Sequence, residues 1–301
     1  MMRGPASWSV ACRRPDETIA VDRFPLPSLA ERHPWLKWPL FRGVIVLGES
    51  LAIGIKALMI SANQALEDEE QLSGKQLGWS LTVAMVMFSA VFIALPVLGT
   101  RWLESYIGNL SDDRPVLFNL IEVAIRLTMF VGYLLLIGQL KDIRRVFQYH
   151  GAEHKTIYAY ENGDALVPAE IDRKYTTLHV RCGTNFLFIV LFLTVVAHLV
   201  IDLLVGDPFW MRIVIRVLAI PVLAGFSYEV IKLASRNEES LFFRISMLPG
   251  LALQRITTKP PTLDQIEVAI AAMRAVAQDI EKHPEVITEE PEDPGSEVPV
   301  S

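Results

Sequence analysis

Two imidazoles, His150 and His154, stand four residues apart with a carboxylate beside the second, in the phrase His150-Gly151-Ala152-Glu153-His154. On an α-helix, residues i and i+4 share a face, so both rings can reach one metal ion while Glu153 stays free to handle a proton. The order His-x-x-Glu-His is that of the inverted zinc proteases. Further on, His179-Val180-Arg181-Cys182 offers another imidazole and a thiol. A single site drawn from both phrases takes His150 and His154, with His179, Cys182, Glu161 or Glu229 completing the set and Glu153 as base on a water. Imidazole and thiolate donors favour tetrahedral zinc, whereas two imidazoles and a carboxylate suit iron, so the choice between Cys182 and Glu161 decides the ion.

The same residues permit other chemistry. Cys182 is also placed to act as a nucleophile activated by His179 or Arg181 at a helix start, where a thiolate is favoured. A bland arrangement competes with both: histidines and glutamates that cap helices and bond to loops, with Gly183-Thr184-Asn185 capping the helix that follows. Gln254-Arg255-Ile256-Thr257-Thr258 ahead of Lys259-Pro260-Pro261 fits a loop capping the last helix better than a ligand site.

These residues need elements to position them. A helix is expected from Lys141 to Glu161; at about 100° per residue it puts His150, His154 and Glu161 on one side and Glu153 at the edge of that side. Around it the chain is apolar, with 51% hydrophobic residues and a mean hydropathy of +0.34 in 301 residues. Residues 80–98, 116–138, 186–205 and 211–233 approach the length needed to span a bilayer. Residues 43–62 are interrupted by Glu49 and Lys56 and read as an amphipathic or partly inserted helix. Loop 139–185 carries Lys141, Arg144, Arg145, Lys155, Arg173, Lys174 and Arg181, which by the positive-inside rule makes it cytoplasmic, together with both termini.

Charged residues within the expected spans fall one turn apart: Glu122 with Arg126, His198 with Asp202, and Arg212 with Arg216. They fit a structural ion-pair network, with an ion or proton path as the alternative. Trp8 to Cys12 and Thr18 to Val21 flank a polar turn and predict a small hairpin. Thr262-Leu263-Asp264-Gln265 predicts a capping box opening a helix whose apolar face is Ile266, Ala269, Ile270, Met273, Val276 and Ile280.

The expected organisation is therefore mainly α: a polytopic membrane protein of about four spans. It comprises an N-terminal β element and linker (1–42), the amphipathic helix (43–62), a first membrane pair (80–138), the His/Cys loop (139–185), a second membrane pair (186–233), a C-terminal helical region (234–282) and an acidic tail (283–301). The tail's six acids account for the whole formal net charge of −6. With no basic surplus, nucleic acid is not an expected partner. Cys12 and Cys182 are too few and too far apart for a disulfide framework.

Several phrases in combination carry a family likeness: Met1-Met2-Arg3-Gly4-Pro5, His150 through Ile157, His179-x-Arg181-Cys182-Gly183-Thr184, Ser227-Tyr228-Glu229 and Gln254-x-Ile256-Thr257-Thr258-x-Pro260. Over residues 1–282 the chain resembles the YqhQ-like family of bacterial multi-pass membrane proteins. The resemblance implies a bacterial inner-membrane protein described in general terms as a metal-dependent enzyme, with no agreed substrate. Its members carry a glycine-rich strand-like segment ahead of the Met-Met-Arg-Gly-Pro phrase, at which this chain begins, so the partner of that strand is expected to look incomplete. The functional expectation is a divalent metal, zinc first, in a hydrolase with Glu153 as base. Its partners are the lipid bilayer and a small-molecule or protein substrate; the alternatives are a scaffold with a structural metal and an ion-conducting protein.

Overall fold

The computed structural model describes residues 1–26, 38–65, 74–108, 114–179, 182–204, 209–236 and 240–282. The acidic tail, Arg181, the side chain of Ile280 and those of His198, Asp202, Arg212 and Arg216 lie outside the described residues, as does part of the linker. Three strands come first: β1 (Met2–Arg3), β2 (Ser7–Arg13) and β3 (Ile19–Pro25), antiparallel in the order β1-β2-β3. Helices follow: α1 (Phe41–Ala65), α2 (Gly74–Ser89) running through a π-turn at Ala90–Ala94 into α3 (Leu95–Ile107), α4 (Pro115–Ile137), α5 (Lys141–Glu161), α6 (Pro168–Lys174), α7 (Gly183–Leu204), α8 (Phe209–Arg236), α9 (Leu241–Thr257) and α10 (Leu263–Lys282). The chain is mainly helical with one small sheet, and the expected hairpin and site helix form where the sequence places them.

Strand β2 is buried on both faces because its side chains alternate between two helices. Trp8, Val10 and Cys12 point to one side, where Ile53, Ala57 and Ile60 of α1 meet them. Lys56 Nζ sits 4.6 Å from the Phe24 ring centroid and 5.7 Å from that of Trp8, so its charge rests on aromatic faces. Arg3 bonds Glu49 and Ser50 on the same helix, and Arg14 bonds Gln64. On the other side of β2, Ser9 donates to the carbonyl of Ala272 at 2.7 Å, and Ala11 packs into the core under α10.

Helix α10 joins both ends of the chain to α5. Gln265 accepts from the Thr262 N–H at 2.9 Å, which is half of the expected capping box. Ile266, Ala269, Ile270, Met273 and Val276 are all buried, and they pack with Met2, with Ala152 and Ala159 of α5, and with Ile171 of α6. Three stretches distant in sequence thus share one hydrophobic core. Contact with α5 is close: a Cβ on Gly151 would lie 2.3 Å from the Lys259 carbonyl oxygen, so only glycine fits there.

Two helices among the described residues are long and apolar enough to cross a membrane by length and composition, Phe41–Gln64 and Val116–Ile137. Gly78–Phe92 and Gly183–Ala197 are shorter apolar stretches. Among the described residues α4 matches one of the four expected spans at full length, and the expected spans 186–205 and 211–233 include residues or side chains outside the described ones. Residues 43–62, expected to be the weakest of the apolar segments, form one of the two strongest; their interrupting charges, Glu49 and Lys56, are taken up by the sheet. Within α4, Glu122 is 4% exposed and accepts from Arg126 at 2.5 Å, one turn away, the pairing expected of a structural ion pair.

At the start of α1, Leu40 adopts a left-handed φ of 72°, and its carbonyl packs where a Cβ on Gly225 would otherwise sit, 2.4 Å away. Gly43 leaves the matching space for Tyr228. Truncating Ile266 to alanine empties a fully buried position in the shared core. We expect Ile266→Ala to cost about 2–5 kcal/mol, read as a lower unfolding midpoint of the purified protein; an unchanged midpoint would mean that α10 is not part of the core.

Candidate metal centre

Helix α5 carries His150 and His154 with ring centroids 4.4 Å apart, as i, i+4 spacing requires. Each ring has one nitrogen committed to the backbone. His150 Nδ1 lies 3.0 Å from the Thr257 carbonyl and His154 Nδ1 2.5 Å from the Thr177 carbonyl. A carbonyl oxygen only accepts, so both Nδ1 atoms carry a proton and the Nε2 atoms are left to face the other side of each ring. Histidines that ligate metals are oriented in this way.

The third member comes from the approach to α7. Cys182 Sγ is 3.3 Å from His150 Nε2, and one ligand atom from each of His150, His154 and Cys182 lies within 4.8 Å of the other two. Cys182 immediately precedes the first residue of α7, where backbone N–H groups have no helical partner. Thr184 directs both its N–H, at 3.5 Å, and its hydroxyl, at 3.3 Å, to the sulfur. Burial opposes charge on Cys182, but hydrogen bonds to His150 and His154 outweigh it and bring the thiol down to about 5. Burial likewise opposes charge on His150, and its hydrogen bond to Cys182 wins there too, raising it above the usual imidazole value.

Gln254 holds the cysteine-bearing segment in place. Its side chain, fully buried on α9, accepts from the His179 N–H at 2.7 Å and donates to the His179 carbonyl at 2.8 Å. That carbonyl also receives the Cys182 N–H at 3.3 Å and Asn185 Nδ2 at 3.4 Å. Thr258, one turn beyond Gln254, bonds the Gln254 carbonyl and the Thr177 hydroxyl. The phrase expected to be a loop capping the last helix is instead helical through Thr257, forming the last turn of α9, and it supplies the carbonyl that orients His150.

The remaining expected site residues occupy distinct places. The His179 ring lies beside the cluster, 5.6 Å from the His154 ring and 4.5 Å from Tyr158 by centroids, with Nε2 3.6 Å from Glu161 Oε2. Neither His179 nor Glu161 joins the three converging donors. Glu153 lies near the cluster, where its charge helps raise His150, and 3.7 Å from the Met1 ammonium. Glu229 is elsewhere: it takes two hydrogen bonds from Arg42 and joins α8 to α1. Sequence spacing alone had not singled out Gln254, Thr257, Thr177 and Thr184 as supports; the signal available was the crowding of amides and hydroxyls around residues 254–258 and 176–184.

With this geometry in view, the comparisons with known proteins define the class. The model of a protein family of unknown function, DUF1385, matches residues 38–279, and the chain belongs to that family. It is 33% identical over 285 residues to the uncharacterized protein YqhQ of Bacillus subtilis (strain 168), covering 90% of this chain and 86% of that protein. No solved structure matches.

Thiol reactivity reports this arrangement directly. In chelator-treated protein, alkylation of Cys182 followed by peptide mass spectrometry should keep its rate from neutral pH downward and lose it as pH falls through about 5. Gln254→Leu, which releases the His179 backbone, should move that midpoint upward. A wild-type midpoint near the ordinary thiol value of about 8.5 would contradict the assigned contacts.

Proposed function

We propose that this chain is a membrane protein that binds a divalent cation, zinc by preference, through His150 Nε2, His154 Nε2 and Cys182 Sγ, and that it acts as a hydrolase with Glu153 as the base. The observation that carries the proposal is the pair of Nδ1–H to carbonyl bonds, which turns both Nε2 atoms toward a sulfur already favoured as thiolate. Two imidazoles and one thiolate are a borderline-soft donor set that suits zinc, and three protein ligands leave a position open for substrate. A cation bound there would supply Lewis acidity to a polarised carbonyl or phosphoryl group.

The chain's own residues have definite roles in this proposal. Thr257 and Thr177 fix the tautomers, Gln254 fixes the cysteine segment, and Glu153, one residue before His154, takes a proton at its carboxylate. His179 and Glu161 form a flanking pair and are not ligands. The proton shared between His150 and Cys182 must leave when the cation enters, so binding weakens as pH falls.

Placement at a cytoplasmic membrane face, with both termini cytoplasmic, belongs to the same proposal. It is supported by the sharing of one core among the N-terminal sheet, α5 and α10, which requires all three to lie on one side. The sheet contacts along Glu49 to Gln64 support an α1 that lies along the membrane surface instead of crossing it. A second reading, Cys182 as a thiolate nucleophile with His150 as its base, is favoured by the same 3.3 Å contact and needs no metal.

Elemental analysis of detergent-purified full-length protein separates these readings. The proposal expects about one zinc per chain in the wild type, and loss of most of it in His150→Ala, His154→Ala and Cys182→Ala. Glu153→Gln should keep its zinc yet fail to restore the phenotype of a deletion strain. Metal content indifferent to all three ligand substitutions would sink the site, and full restoration by Glu153→Gln would make the metal structural.

A further inference from the structure

We propose that the first two turns of α5 are a binding surface for the headgroups of anionic phospholipids. Helix α4 ends at Ile137, and after a short turn through Gly138, Gln139 and Leu140 helix α5 begins at Lys141. Lys141, Arg144 and Arg145 are all exposed, and at about 100° per residue they fall within one stripe on the helix. Asp142 is the one carboxylate in those two turns. Arg145 is held toward Tyr149, with its guanidinium carbon 5.9 Å from the ring centroid.

The surroundings of the stripe say what it faces. On the α4 side are exposed apolar residues, Leu135 at 51%, Leu136 at 71% and Leu140 at 59%, and Val146 within the stripe's own turns is 51% exposed. Further along the same helix, toward its C-terminal end, that face is covered: Gln148 bonds Gln265 and the Pro260 carbonyl, and Ala152 is fully buried in the core with α10. A cationic band between hydrocarbon-seeking leucines and a packed polar-faced unit complements a lipid whose phosphate is anionic and whose tails reach the leucines. A nucleic acid would meet only three cations over two turns, with an apolar flank it has no use for. The inference rests on α4 crossing the bilayer, which the test below checks separately.

Full-length protein, shown to stay in the membrane fraction after alkaline carbonate treatment, is solubilised in a mild detergent. It is mixed with phosphatidylglycerol or phosphatidylcholine and weighed intact by native mass spectrometry. The expected result is about tenfold more adduct with phosphatidylglycerol than with phosphatidylcholine. That preference should be lost in the triple variant Lys141→Gln, Arg144→Gln, Arg145→Gln and kept in Arg173→Gln, a control cation on α6. Equal adducts of the two lipids, a triple variant with wild-type preference, or tighter binding of a short RNA than of phosphatidylglycerol to the same stripe would overturn the inference. Release of the wild type by carbonate would instead overturn the membrane reading beneath it.

Discussion

A single buried amide holds the centre together. Gln254 meets both the N–H and the carbonyl of His179, as a neighbouring strand would, and thereby ties the segment leading to Cys182 to the end of α9. An amide buried without partners costs about 1–3 kcal/mol for each unmet group, so this position either makes both bonds or destabilises the fold. Because it makes both, Cys182 arrives at the start of α7 at a height set by α9. Four residues beyond Gln254, Thr258 continues the same seam, and Thr257 turns its carbonyl to His150. Orientation of one histidine and delivery of the cysteine therefore trace to one turn of one helix.

That seam matters because α9 and α10 are bound to the rest of the fold by packing that is long-range in sequence. Strand β2 has a helix on each face, with α1 over Trp8, Val10 and Cys12 and α10 over Ser9 and Ala11. Helix α10 in turn covers Ala152 and Ala159, the small residues on the side of α5 away from the histidines. Gly151 extends this contact by admitting the Lys259 carbonyl. The beginning, middle and end of the chain thus build one unit, from which the apolar helices lead away.

Much of this was legible from residue type and spacing. The Lys141 to Glu161 helix, the hairpin and the amphipathic face from Ile266 to Val276 follow from periodicity and turn chemistry, which are local properties. The pairing of His150 and His154 is local as well. The choice among His179, Cys182, Glu161 and Glu229 for the third place is not local: it depends on how Thr177, His179 and Cys182 approach α5, and Gln254, over 70 residues away, holds His179 there. Glu229 illustrates the limit, since its hydrogen bonds to Arg42 are made across 187 residues. Residues 43–62 are a similar case, because the charges that interrupt them in sequence are taken up by a sheet that precedes them.

The account's central claim is that two Nε2 atoms and one sulfur converge on a common cation. X-ray absorption at the zinc edge, on full-length protein loaded with one equivalent of zinc, reads that shell directly. The account predicts one sulfur at about 2.3 Å and two imidazole nitrogens at about 2.0–2.1 Å, with the sulfur absent from Cys182→Ser. A shell of oxygen and nitrogen alone in the wild type, or one unchanged by Cys182→Ser, would contradict it.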